Sequence, residues 1–195
     1  MADRGAEMKV KKILLGVLFL TFLFSCFSGK AGYAMESKKV VLDPLPKSEA
    51  EIMPAKTPQQ TAAFAVAALV RYTEDTEAGI AMLDKLLGPR PLSNLSKQQL
   101  RDQLRGKEYT ARSYFDGATP DNNYTPSMPY TVTVSETPYS YQNENYAQLW
   151  IRSGGADNPR PVTMRLKPST GEWYLWEYAG LLAGIRIPAK DDPWK

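Results

Sequence analysis

The chain has 195 residues, 43% of them hydrophobic and 11% aromatic, which suits one globular domain and excludes general disorder. It contains no histidine and a single cysteine, Cys26. Ser-His-Asp and Cys-His catalysis, histidine-bearing zinc sites and the two-histidine iron arrangement are therefore excluded. The formal charge of +3 is local: five of the 24 basic and two of the 21 acidic residues lie in the first 34 positions, leaving 19 of each sign beyond them. A neutral body offers no electrostatic case for nucleic acid.

The first element is a leader. Lys9, Lys11 and Lys12 precede the apolar run Ile13 to Phe27, and the polar "SGKAGYA" follows. A basic n-region, an h-region of about 15 residues and small residues at Gly32 and Ala34 read as a signal peptide over 1–34. Met8 opens a cleaner n-region than Met1, because Asp3 and Glu7 dilute the charge before it. Cleavage after Ala34 is the first reading. Two alternatives keep the chain at a membrane: lipidation of Cys26 in the lipobox-like "LFSC", or an uncleaved anchor. The second falls short of the roughly 20 apolar residues of a span. Each of the three fates places the body outside the cytoplasm, secreted, periplasmic or on the cell envelope. With Cys26 in the leader, that body forms no internal disulfide and depends on packing.

Residues 35–56, "MESKKVVLDPLPKSEAEIMPAK", mix charge with proline and keep no sustained period, so they read as a tether. A single domain is expected over 57–195. Thr57-Pro58-Gln59-Gln60 offers a cap hydroxyl, proline at the first helical position and a glutamine to close a capping box. The alanine-rich "TAAFAVAALVRY" after it predicts a central, buried helix. A second helix is predicted from Asp75 or Thr76 to Leu87, with Ile80, Leu83, Leu86 and Leu87 on one stripe and Gly88-Pro89 ending it. A third is predicted from Ser96 to before Gly106, pinned by Leu100 and Leu104.

From Tyr130 the period becomes two. "YTVTVSE", "YAQLWIRS", "RPVTMRLK" and "EWYLWEY" each alternate apolar with polar residues, joined by the turns "SGGADNP" and "PSTG". Four strands with short links make an antiparallel meander. Helices followed by strands give an α+β fold: about three helices on a four-stranded sheet, with a cone-shaped sheet like that of the nuclear-transport-factor-like superfamily as a variant. In the last strand, either Trp173 and Leu175 face inward or Tyr174 and Trp176 do. Ile185 to Pro188 reads as a last extended segment, with Trp194 folding back.

The blocks "SYFDGATPDNNYTPSMPYTVTV", "SGGADNPRPV", "WYLWEY" and "GIRIPAKDDPW" resemble a family of exported bacterial proteins defined only as a domain of unknown function, over about Thr57 to Trp194. The resemblance implies a bacterial source and a secreted single domain. It brings no catalytic residues.

Chemistry has few openings. G-x-S-x-G, G-x-G-x-x-G, G-K-[ST] and S-x-x-K are all absent, and no cofactor is implied. Carboxylates such as Glu172 and Glu177 leave glycoside hydrolysis of an extracellular polymer as the catalytic alternative, although five residues apart on a strand they should face opposite sides. "DGATPDNN" gathers oxygen ligands without the EF-hand spacing, and Asp and Asn favour turns in any case. Aromatic residues are the positive clue, since flat rings edged by amides hold sugars and peptides. The candidate ligand-binding residues are Tyr124, Tyr130, Trp150 and Trp176, with Asn122, Asn123, Asn143 and Gln148 as edges. Arg160 is an anion clamp or else a salt-bridge partner of Asp157 or Glu144. The same rings also suit a sheet core. The expected role is a non-catalytic module binding a polymer, peptide or envelope protein. The loop Phe115 to Tyr130, alternating proline with tyrosine, is expected to be ordered and to cover a sheet edge.

Overall fold

The computed structural model describes residues 35–53 and 55–194. The leader and Cys26 lie outside the described residues, and no helix among those described is long and apolar enough to cross a membrane. The fold is α+β, with four helices on one face of a five-stranded antiparallel sheet of order β1-β2-β3-β4-β5.

The extra strand comes from the stretch expected to be a tether. β1 (Glu36–Leu42) pairs with β2 (Tyr130–Glu136) at all seven positions, from Glu36↔Glu136 to Leu42↔Tyr130. Its charges hide it from a periodicity reading because it is an edge strand. Only Val40 and Leu42 need to reach the core, and lysine along an exposed edge deters further pairing. Ile52 is fully buried and Ala55 bridges Trp173, so residues 35–56 belong to the folded body.

α1 (Pro58–Glu74) starts where expected, but Thr57 makes no side-chain cap. Its alanines 62, 63, 65, 67 and 68 are fully buried, and small side chains let α1 lie close against α2 (Thr76–Leu87) and all five strands. Asp75 caps α2 by accepting from Ala78 N–H at 3.1 Å. α3 (Asn94–Leu104) begins two residues before Ser96. Ser93 is its cap, accepting from Ser96 N–H at 3.1 Å, while Leu100 and Leu104 are buried as predicted. A single turn, α4 (Tyr109–Arg112), completes the helices.

β3 (Tyr146–Ile151), β4 (Arg160–Lys167) and β5 (Glu172–Glu177) follow the predicted spans. Val132, Val134, Ala147, Leu149, Ile151, Val162, Met164 and Leu175 turn to the helices and are buried. The register in which Trp173 and Leu175 face inward is the one adopted, and Trp173 packs against the core. The core lies wholly between helices and sheet, which leaves Tyr146, Gln148, Trp150, Thr163, Arg165 and Lys167 on the opposite face.

The loop from Phe115 is ordered and meets the edge of β2 that β3 leaves unpaired. Asp116 N–H donates to Thr131 O at 2.8 Å, and Phe115 bridges Val132. Residues 184–188 form no strand, and Trp194 is 93% exposed instead of folded back.

Candidate functional site

The site grows from an irregularity in β5. Met164 faces Leu175, whereas Thr163 faces Glu177, so Trp176 is the additional residue of a β-bulge. The bulge reverses the expected parity of the two glutamates. Glu172 opposes Lys167 and Glu177 opposes Thr163, which puts both carboxylates on the outer face, contrary to the sequence expectation. They are four β4 positions apart, about 13 Å along a strand, too far for an acid–base pair across one glycosidic bond.

Trp176 stands half-buried amid charge. The Arg90 guanidinium carbon lies 3.7 Å from its ring centroid and that of Arg165 lies 4.6 Å away. Tyr146 meets the same ring edge-on at 5.4 Å, and Arg165 also lies 5.3 Å from the Tyr146 ring. Arg90 arrives from the link after α2. There Gly88, at φ +62, runs so close to Tyr174 that a Cβ would sit 2.4 Å from the ring.

Grooves flank this platform. One, of about 700 Å³, is lined by Ser140, Asn143, Glu144, Gln148 and Thr163 beside Tyr146 and Trp176. The other, of about 710 Å³, is lined by Leu87, Arg90, Arg165, Lys167, Tyr174 and Trp176. At its margin a hydrogen bond from Thr170, with further help from Tyr174, Lys56 and Lys167, holds the Glu172 carboxyl below its usual range. Burial, followed by the Glu172 charge, pushes the Tyr174 phenol up. Among the described residues no group of three acidic or thiol side chains is placed to hold a metal.

Of the predicted site residues, Trp176 reaches the grooves, together with the amide edges Asn143 and Gln148. Tyr124 does not. It is fully buried, stacks on Tyr109 at 5.5 Å and donates its hydroxyl to Arg186 O at 2.6 Å, so it offers no face to a ligand. Burial pushes that phenol up to about 12, with Arg186 opposing. Asn122 is committed to its own loop: its Oδ1 accepts from Thr119 and Thr125 N–H and its Nδ2 donates to Gly117 and Thr125 O. Asn123 provides the left-handed turn beside it, at φ 54. Tyr130 packs on Phe115 at 5.1 Å. Trp150 lies half-buried on the outer face opposite Ser135 and Pro161, apart from the Trp176 cluster. Arg160 donates to Gly184 O and forms no ion pair among the described residues. Asp157, its expected partner, pairs with Arg186 at 2.8 Å instead.

Residues 44–189 match the family described as a domain of unknown function, DUF6935. The chain belongs to this family. The DUF6935 stretch starts earlier than Thr57 and stops short of Trp194, leaving β1 outside it and α1–α4 and β2–β5 inside. No curated protein and no solved structure matches the chain. Within the DUF6935 stretch the sequence reading overlooked Arg90, Arg165 and Lys167. Arg90 was legible only as the residue between Pro89 and Pro91, and the other two only as the polar positions of β4.

Proposed function

We propose that this chain is an exported, non-catalytic binding module that holds a saccharide polymer on the outer face of its sheet. The observation that carries the reading is the Tyr146–Trp176 pair at the floor of a groove edged by Asn143, Gln148, Ser140 and Thr163. Flat rings cover the apolar faces of a sugar, and side-chain amides and hydroxyls satisfy its hydroxyl groups. Export rests on the leader in residues 1–34, which also puts polysaccharide of a cell envelope within reach.

The test is titration of tryptophan fluorescence with cello- and chito-hexaose. Saturable binding is expected, weakened at least tenfold by Trp176→Ala while the urea midpoint stays close to wild type. Absence of binding to either probe, or unchanged affinity in the variant, overturns the reading. Glu144 and Glu177 line the same groove, so the assay carries a hydrolysis arm. Reducing ends that appear with wild type and vanish with Glu177→Gln would replace binding by cleavage.

A further inference from the structure

Resting on that reading, we propose that the saccharide is anionic and that its carboxylate or phosphate group sits against Arg90, Arg165 and Lys167. Each charged residue lining the groove between the end of α2 and β4–β5 is a cation. Neither Arg90 nor Arg165 has a carboxylate within salt-bridge distance among the described residues, while Lys167 stands opposite Glu172 across the strand pair. Both guanidiniums lie against one indole, so their carbons are within about 8 Å of each other, and like charges that close repel when no counter-charge separates them. An anion seated between them relieves that repulsion and accepts the planar, paired hydrogen bonds that guanidinium offers to carboxylate and phosphate oxygens.

The placement matters as much as the charge. Trp176 is shared by the cationic groove and the amide-edged groove, so one ligand crossing the ring meets both. An acidic sugar has the matching features: a ring with an apolar face, hydroxyl groups for the amides and a fixed negative group. A single-stranded nucleic acid also combines ring and charge, but its backbone needs a continuous basic track. Here the groove on the far side of Trp176 carries Glu144 and Glu177, and the body as a whole is neutral.

Two matched pairs of probes separate charge from ring: hexagalacturonate against its methyl ester, and phosphorylated dextran against dextran. Titration of the full chain at low salt is expected to give at least tenfold tighter binding for the acidic member of one pair, and that pair identifies the group. The preference should shrink as salt is raised. Arg90→Gln and Arg165→Gln, both at exposed positions and checked by urea midpoint, are each expected to lower affinity for the acidic probe about tenfold more than for its neutral counterpart. Arg165→Lys should restore part of the loss. Equal binding of the acidic and neutral members overturns the inference while the saccharide reading stands. No binding of any of the four overturns both, as does tighter binding of oligodeoxythymidylate than of every saccharide.

Discussion

Replacing Gly79 by alanine sets two physical effects of opposite sign against each other. On helix propensity alone the change inside α2 stabilises by about 1 kcal/mol. The structure reverses that expectation. A Cβ at Gly79 would lie 2.2 Å from Tyr72 Cα, 2.4 Å from Tyr72 N and 2.6 Å from Tyr72 Cβ. Two of these atoms are backbone of α1, so no rotamer change relieves the clash and the helices must part by roughly 1 Å. A gap of that size forfeits about a quarter to a half of each contact across it. The flanking side chains Val66, Leu69, Val70, Met82, Leu83 and Leu86 are all nearly or completely buried. Overpacking costs about 1–3 kcal/mol, and a clash with backbone belongs to the upper part of that range, so that about 2–3 kcal/mol against the propensity gain leaves a net loss of about 1–2 kcal/mol. With a urea slope of about 2 kcal/mol per molar for a body of this size, the unfolding midpoint should fall by roughly 0.5–1 M. A midpoint equal to or above wild type would refute the close α1–α2 contact.

Four further outcomes are expected from other contacts. Tyr124→Phe removes the donor to Arg186 O and should cost about 1–2 kcal/mol in urea unfolding. Burial raises the Tyr124 and Tyr178 phenols to about 12, against an ordinary value of 10. The folded state therefore keeps protons that the unfolded state releases. Stability should be fully present below pH 10 and fall as pH climbs toward 12, less steeply in Tyr124→Phe than in wild type; midpoints from pH 9 to 11.5 read the difference. Thr61→Val should cost about 1–3 kcal/mol by the same assay, because the fully buried hydroxyl donates to Trp173 O at 2.9 Å and accepts from Ala55 N–H at 3.4 Å. Lys39→Ala, by contrast, should change stability by less than about 1 kcal/mol, since its 2.9 Å pair with Asp116 has a lysine 69% exposed.

What the sequence disclosed follows from which physical signals are local. Strands β2 to β5 were legible because each sends a row of apolar residues to the core, and a period of two survives in residues such as Val132 and Val134 or Leu149 and Ile151. The end of α2 was legible because Gly88-Pro89 stops a helix wherever it occurs. β1 was not, since an edge strand needs few apolar residues and its pairing is decided by β2, almost ninety residues away along the chain. Ser93 and Ser96 are both competent caps by residue type; in the structure Ser93 takes the role, and its hydroxyl meets that of Ser96 at 2.9 Å. Of the candidate ligand residues, Trp176 lies at a groove and Tyr124 is buried away from it. Tyrosine beside proline and asparagine reads equally well as ligand platform or loop anchor. The left-handed turn at Asn123 and Tyr124 makes Tyr124 an anchor by turning the ring into the body. Trp176 faces outward by plain alternation once Leu175 faces inward; what no single strand encodes is the bulge, a two-strand property, that brings Glu177 to the same face.

The division between the two faces of the sheet explains why the outer one is free to specialise. Leu175 and Trp176 are neighbours in sequence, yet Leu175 is buried under the helices and Trp176 stands beside arginine on the other side. The contact of α1 with the sheet is made with the inner face, so folding does not require an aromatic or a cation at the outer positions. Folding alone would favour modest polar residues there, as at Thr163 and Gln148. A tryptophan with two unpaired guanidiniums against it is a costlier choice, since like charges repel and a half-exposed indole gains little from the core. Residues that a fold does not need, gathered where it leaves a groove, are most economically explained by something that enters the groove. The separation also makes the explanation testable, because changes at Arg90 and Arg165 can alter binding without touching the side on which stability depends.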